Sequence, residues 1–201
     1  SGKDGLPSGG LGKNNVSICT GAAEGLSSSL RALVYQKTAI LPLAHWENYS
    51  NAVSAAQGKS VLFDYFDANG ELDLAGLRKI VKQENAKILV ANFPANPTGA
   101  VFCAEEAQAL ADLARELDLI IVADEVYSRL RYDGSPAVSL LGYAPERCVV
   151  VSSASKEYLL PGARVGYVIC ANEEFTNNVI RKLIRTQTGS PNILGQRRLM
   201  K

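Results

Sequence analysis

Residues 148–170 read CVVVSSASKEYLLPGARVGYVIC, so two apolar runs enclose a polar segment. The runs 148–151 and 165–170 are short and rich in valine and isoleucine, which is typical of strands covered on both faces of a sheet. Between them lie serine hydroxyls, Lys156 and, eight residues later, Arg164. A lysine held in a cleft can lose its proton and act as a nucleophile, although most lysines are solvated surface residues. The segment predicts a strand, a loop with candidate chemistry and a second strand.

Similar apolar runs recur towards the N-terminus, at residues 16–19, 39–43, 61–63, 88–91 and 119–123. Amphipathic stretches at 72–81 and 105–117 lie between some of them and place apolar side chains on one helical face. This alternation predicts an α/β fold, a three-layer sandwich around a mainly parallel sheet. Such sheets carry their chemistry in loops beyond the carboxyl ends of the strands.

The composition gives no reason to expect nucleic acid or a membrane as partner. The 201 residues include 21 basic and 20 acidic side chains, with a formal net charge of +1. No apolar run could span a bilayer, and the first ten residues, SGKDGLPSGG, lack the apolar region of a signal peptide. We expect a cytoplasmic protein with a flexible segment at residues 1–15 and one globular domain at 16–201.

Cysteine and histidine usage argues against a metal site. The four cysteines are far apart and form no CxxC pair, and the chain has a single histidine. They are Cys19, Cys103, Cys148 and Cys170. We expect no metal, and we expect reduced, mostly buried thiols, which fit a reducing compartment.

Four other predicted strands are each followed by a segment of candidate chemistry. The turn TGAAEGL at 20–26 opens a helix whose free N–H groups suit an anion, although an ordinary strand–turn–helix junction has the same pattern. Trp46 could stack on an aromatic ring or cover the domain surface. Asn96 lies in the stiff turn NFPANPTG at 92–99. Asp124 ends an apolar strand, where a buried carboxylate needs a cationic partner from a ligand or from the protein.

In this order, the motifs resemble those of class I/II aminotransferases, the fold-type-I family of pyridoxal-phosphate-dependent enzymes. The likeness rests on Ser-x-Ser-Lys at 153–156 with Arg164 beyond it, on Asn-Pro-Thr-Gly at 96–99, and on Asp-x-x-Tyr at 124–127. It runs from about Val16 to the C-terminus. The resemblance implies the large domain of a pyridoxal-phosphate-dependent transferase, with a seven-stranded mixed sheet. The strand after Arg164 is the candidate for its antiparallel member.

The resemblance also implies a role for each candidate residue. The residues it assigns to catalysis are Lys156 (Schiff base with pyridoxal 5′-phosphate, then proton transfer), Asp124 (partner of the protonated ring nitrogen) and Tyr127. The remaining cofactor contacts are Asn96 with Tyr127 at the phenolic oxygen, Trp46 on the ring face, and Ser153, Arg164 and the amides of Ala22 and Ala23 around the phosphate. Tyr49 would lie behind Asp124.

The predicted function is amino-group transfer between an amino acid and a 2-oxo acid by a homodimer. Two alternatives stay open: a lyase or synthase of the same fold, and an aminotransferase-like ligand-sensing domain of a transcriptional regulator. Compared with the family, the sequence lacks a segment before the first strand and the small C-terminal domain, which normally supplies an arginine for the substrate α-carboxylate. We therefore expect a partial enzyme with little activity of its own. Arg185 could bind a side-chain carboxylate, but a solvated helix face explains it equally.

Overall fold

The computed structural model describes residues 10–132, 134 and 138–200. Its centre is a seven-stranded sheet of β1 (Val16–Cys19), β2 (Thr38–Pro42), β3 (Lys59–Phe63), β4 (Ala86–Asn92), β5 (Ile120–Asp124), β6 (Cys148–Ser153) and β7 (Gly166–Cys170). The strand order is β1-β7-β6-β5-β4-β2-β3. Among these strands, β7 is antiparallel to both of its neighbours, whereas the other pairs are parallel. The predicted mixed sheet and its antiparallel strand are confirmed.

Helices complete the layers on both sides of the sheet. They are α1 (Ala22–Leu33), α2 (Asn48–Ala55), α3 (Leu74–Glu84), α4 (Ala104–Glu116), α5 (Ala154–Glu157), α6 (Glu173–Phe175), α7 (Arg181–Thr188) and α8 (Ile193–Leu199). A wider, π-helical turn at Thr176–Ile180 connects α6 to α7. The predicted α/β class is confirmed.

Alternate residues of the central strands face two separate apolar cores. On β4, Val90 packs in the core that contains α1 and α2, whereas Leu89 packs in the core that contains α3 and α4. On β5, Val122 and Ile121 divide in the same way. Because both faces of these strands are buried, their sequences are continuous apolar runs rather than alternating ones.

Capping residues explain where two predicted helices begin. The stretch 72–81 becomes helical only from Leu74, because the Asp73 carboxylate accepts a hydrogen bond from the Gly76 N–H at 2.8 Å. Helix α4 begins after Cys103, whose thiol and backbone N–H both bond to Glu106 in a reciprocal cap. Amphipathic periodicity alone does not show which side chain accepts a hydrogen bond from the first N–H groups, so it does not fix the residue at which a helix begins.

The segment predicted to be flexible, 1–15, is partly described. Residues 1–9 lie outside the described residues, and Lys13–Asn15 form a short helical turn. Asn15 is buried, and its amide donates to the carbonyls of Cys170 and Ala171 at 3.0 and 2.9 Å. Residues 13–15 are therefore attached to the end of β7.

The prediction of free, mostly buried thiols is confirmed. All four thiols are free; Cys19, Cys148 and Cys170 are buried, and Cys103 is exposed. Among the residues that the structure describes, no helix is both long enough and apolar enough to cross a membrane.

Candidate active site

A cavity of about 330 Å³, here called the central cavity, lies where β4, β5 and β6 end. Its wall includes every residue predicted for the site: Ala22, Ala23, Trp46, Asn96, Asp124, Tyr127, Ser153, Lys156 and Arg164. Tyr49, Asn92, Val126, Ser155 and Pro161 complete the wall. Two larger hollows, of about 500 and 930 Å³, adjoin the central cavity and share part of its wall, but among the three only the central cavity is lined by Asp124, Lys156 and Arg164 together.

Asp124 is a buried carboxylate at the edge of this cavity, with 3% of its surface exposed. Burial raises its pKa, while hydrogen bonds from the Tyr49 hydroxyl at 2.7 Å and the Val126 N–H at 3.3 Å lower it. No lysine or arginine of the described chain forms an ion pair with it. A buried carboxylate in this state favours a cationic ligand atom, such as a protonated ring nitrogen. The structure thus fits the ligand partner better than the protein partner.

Tyr49 takes the position expected behind Asp124. It is almost fully buried, and burial, followed by the charge of Asp124, raises the pKa of its phenol well above the usual range. The phenol therefore stays protonated and donates its hydrogen bond. Trp46 packs edge-on against it, with ring centroids 5.9 Å apart. The two rings place an aromatic wall beside the carboxylate.

The N-terminus of α1 forms a second part of the cavity wall. Gly21 precedes the helix with φ of 85°, a region that favours glycine, and caps it without a side chain. The buried Glu24 reaches back and accepts a hydrogen bond from the Thr20 N–H at 2.6 Å, which fixes the turn. The N–H groups at Ala22 and Ala23 therefore lie at the open, positive end of the helix dipole, which suits an anion.

Arg164 lies directly against this turn. Its guanidinium donates to the carbonyl of Thr20 at 3.1 Å and to that of Pro161 at 3.0 Å. A Cβ added to Gly21 would come within 2.4 Å of the guanidinium, and one added to Gly166 would come within 2.4 Å of the Gly21 carbonyl carbon. A cation, a helix N-terminus and a close backbone approach thus form one cradle whose charge suits an anion such as a phosphate.

Lys156 stands on the one-turn helix α5, which begins after Ser153 at the end of β6. The Ser153 hydroxyl accepts a hydrogen bond from the Ser155 N–H at 3.4 Å. Lys156 is exposed, and its Nζ lies 5.6 Å from the centre of the Tyr127 ring. Among the residues that the structure describes, it is the only lysine on the wall of the central cavity. An accessible amine beside an aromatic ring can reach a carbonyl compound that enters from solvent.

Asn92 is a site residue that the sequence analysis missed. It is 2% exposed, and its amide donates to the Asp124 carbonyl at 2.9 Å and accepts from the Asn96 N–H at 2.8 Å. The pattern at 92–99 predicts a stiff turn, and the family resemblance implies a role within it for Asn96 but none for Asn92. A signal was present, since a polar residue that ends one buried strand stands in register with Asp124, which ends the next.

Arg185 does not take part in this arrangement. It is exposed on α7 and does not belong to the wall of the central cavity. Within the described part of the chain, no group of three or more histidine, cysteine, aspartate or glutamate side chains is placed to hold a metal ion.

Comparison with known protein families agrees with this site. The family described as aminotransferase class I and II matches residues 10–196. The chain belongs to this family. Individual aminotransferases of this family are similar to most of the chain.

The chain is similar to a probable aspartate aminotransferase of Methanocaldococcus jannaschii, with 31% identity over 179 residues, which cover 84% of this chain and 46% of that protein. An aspartate aminotransferase of Bacillus subtilis is 29% identical over 187 residues, 91% of this chain and 47% of the relative. A solved structure, aspartate aminotransferase from Thermus thermophilus with maleate, superposes with a TM-score of 0.86 at 28% identity, covering 96% of this chain and 50% of that one. The chain thus spans about half the length of these relatives.

Proposed function

We propose that residues 16–201 form the pyridoxal-phosphate-binding large domain of an aminotransferase that transfers an amino group between an amino acid and a 2-oxo acid. The observation that carries this proposal is the convergence of Asp124, Lys156 and Arg164 on one cavity. Family membership and the aminotransferase names of the relatives favour transamination over a lyase, a synthase or a ligand-sensing domain.

The donor set of the central cavity fits the cofactor at both ends. When bound, pyridoxal phosphate would supply an aldehyde that reacts with amines and a ring that withdraws electrons from the amino-acid α-carbon. Asp124 would stabilise the proton on the ring nitrogen, and Tyr49 would orient that carboxylate. Lys156 would attach the aldehyde through Nζ and, once displaced by the substrate, would carry a proton to and from the α-carbon.

The other wall residues would hold the cofactor in place. The N–H groups of Ala22 and Ala23 would bind the phosphate together with the Arg164 guanidinium and the Ser153 hydroxyl. Asn96 and Tyr127 would donate hydrogen bonds to the phenolic oxygen, and Trp46 would stack on the ring. Because these groups come from different segments of the chain, the folded sheet is required to assemble them.

The proposal is tested by locating the attachment site. The protein is incubated with pyridoxal phosphate and reduced with borohydride, and the labelled peptide is mapped. We expect label on Lys156 alone and its loss in Lys156→Arg, whereas the matched variant Lys182→Arg, on α7, should keep it. Label on another lysine with Lys156 unmodified would rule out the assignment.

The resemblance and the surface also support a cytoplasmic homodimer. Leu159, Leu194 and Met200 are each more than three-quarters exposed, at 80%, 77% and 79%. Leu159 and Leu194 line the 930 Å³ hollow, which shares Pro161 with the central cavity. Exposed apolar surface is typical of association sites. Sedimentation equilibrium of the cofactor-loaded protein should give twice the monomer mass, and a monomer at micromolar concentration would count against the dimer.

A polypeptide limited to these 201 residues should transaminate slowly. The central cavity holds cofactor-binding groups, but loss of substrate positioning alone can cost several kcal/mol of barrier. With saturating pyridoxal phosphate, 2-oxoglutarate and a panel of amino donors, we expect turnover far below about ten per second, the usual enzyme median. Turnover near that value would show that the cavity alone is sufficient.

A further inference from the structure

Asn92 links two parts of the central cavity through one side chain. Its amide nitrogen bonds to the backbone of Asp124 on β5, and its amide oxygen bonds to the backbone of Asn96 in the following turn. The two partners also fix which end of the amide is nitrogen, since a carbonyl needs a donor and an N–H needs an acceptor. Replacement by an isosteric leucine removes both bonds and leaves the shape.

The turn that Asn92 holds is otherwise bonded to itself. The Ala95 N–H donates to the Ala100 carbonyl and the Gly99 N–H donates to the Ala95 carbonyl, both at 2.8 Å. Asn96 lies inside this closed turn, on the cavity wall. The turn is therefore expected to move as a unit, and the Asn92 amide ties that unit to the end of the sheet.

We propose that Asn92 is a positioning residue that sets the place of the Asn96 side chain relative to Asp124. This inference rests on the proposed function, in which Asp124 meets the ring nitrogen and Asn96 meets the phenolic oxygen on another edge of the same ring. Both edges of a rigid ring must be met at once, so a fixed separation between the two residues favours binding. Asn92 acts on the cofactor only through its neighbours.

The proposal predicts that Asn92 and Asn96 share one effect on the bound cofactor. The measurement is a pH titration of the visible absorption of the cofactor-loaded protein, together with the Kd for pyridoxal phosphate from equilibrium dialysis. Asn96→Ala removes a hydrogen bond to the phenolate and should raise the apparent pKa of the chromophore by about one unit. Asn92→Leu should raise it in the same direction by about half of that or more.

The double variant decides between positioning and simple structural support. If Asn92 acts through Asn96, then Asn92→Leu combined with Asn96→Ala shifts the chromophore pKa no further than Asn96→Ala alone. Asn92→Ser, which is too short to make both bonds, gives the same test if the leucine variant does not fold. Asn51→Leu, on the exposed face of α2, is the matched control and should leave the pKa and the Kd unchanged.

The outcomes separate this inference from the function on which it rests. Non-additive shifts support the positioning role. Additive shifts, or an unchanged chromophore pKa in both Asn92 variants while Asn96→Ala shifts it, overturn the role and leave the cofactor assignment intact. A wild-type protein that gives no borohydride label on Lys156 overturns both.

Discussion

Asp124 and Glu125 are consecutive buried carboxylates that face opposite cores. Asp124 bonds to Tyr49, which packs in the core of α1 and α2, and it lines the central cavity. Glu125 accepts hydrogen bonds from the Ser139 hydroxyl at 3.0 Å and the Leu140 N–H at 3.1 Å, and Leu140 belongs to the core of α3 and α4. Glu125 is thus surrounded by hydrogen-bond donors of the chain, whereas Asp124 borders a cavity.

Burial raises the pKa of both groups, and that of Glu125 rises to about 7. Hydrogen bonds within the chain hold Glu125 and attach the segment at 139–140 to the end of β5. Asp124 instead presents its carboxylate to a cavity. Burial of a carboxylate by itself therefore does not identify a functional group, whereas a buried carboxylate that borders a cavity and forms no ion pair with the described lysines or arginines is a candidate for one.

The largest difference between variants of Asp124 and of Glu125 should appear in kcat. In a protein that contains the complete family fold, Asp124→Ala should lose about 10³-fold or more in kcat, because the ring nitrogen loses its charge partner. Cofactor should remain detectable after gel filtration, since this variant keeps Arg164 and Ser153, the proposed phosphate contacts. Glu125→Gln, the matched variant, should keep kcat within about tenfold. Near-normal kcat in Asp124→Ala would show that Asp124 does not pair with the ring nitrogen.

Glu125 should instead control stability as a function of pH. Its folded-state pKa of about 7 lies above the unfolded value of 4.5, so the folded state binds more protons between these values. The stabilisation is full below pH 4.5 and is lost as the pH rises through about 7. Relative to Glu125→Gln, the wild-type free energy of unfolding should fall by up to about 3 kcal/mol across this window. Urea unfolding at pH 5 and pH 8 measures it, and parallel values for the two proteins would contradict it.

Tyr49→Phe tests the cavity side with a smaller change. The hydroxyl lowers the pKa of Asp124, so its removal should raise that pKa and move the acid limb of the kcat profile upward. We expect kcat to fall about tenfold at neutral pH. Tyr35→Phe changes a phenol that is 57% exposed and should have no effect on the profile. An unshifted limb in Tyr49→Phe would show that Asp124 does not titrate in it.

Ser139→Ala, which removes one hydrogen bond to Glu125, should give the smallest effect of these variants, and that effect should be on stability. Glu125 keeps its bond from the Leu140 N–H, so the free energy of unfolding should fall by only about 1 kcal/mol. Turnover should stay at the wild-type value because Ser139 does not belong to the wall of the central cavity. A loss of kcat without a loss of stability would mean that the two sides are coupled.

Local sequence predicted the strands and most of the site, because polar motifs that follow apolar runs must lie at the strand ends. Lys156, Asp124 and Arg164 are such cases, and the apolar run after Arg164 predicted a further strand, whose antiparallel direction came from the family resemblance. The strand order was not, because it depends on which strands pair across crossovers. The residues missed are those whose partners are remote: Asn92 bonds to Asp124, 32 residues away.

The same limit applies to the two carboxylates. The sequence shows Asp124 and Glu125 side by side, but its local pattern contains no sign that Tyr49 donates to Asp124 and Ser139 to Glu125. Those bonds span 75 and 14 residues, respectively, and form only when the layers assemble. The family resemblance implied the position of Tyr49, whereas the partnership of Ser139 with Glu125 is visible only in the structure.

The contact of Arg164 with Gly21 and of Gly21 with Gly166 has a consequence for how this protein can change. A methyl group at Gly21 would meet the guanidinium, and one at Gly166 would meet the backbone of the turn, so neither glycine can be replaced without moving its neighbour. Gly21 is distant along the chain from Arg164 and Gly166, but a substitution at either glycine is tolerated only with a change at the position it contacts. Accepted substitutions should therefore be rarer at the two glycines than at the positions around them.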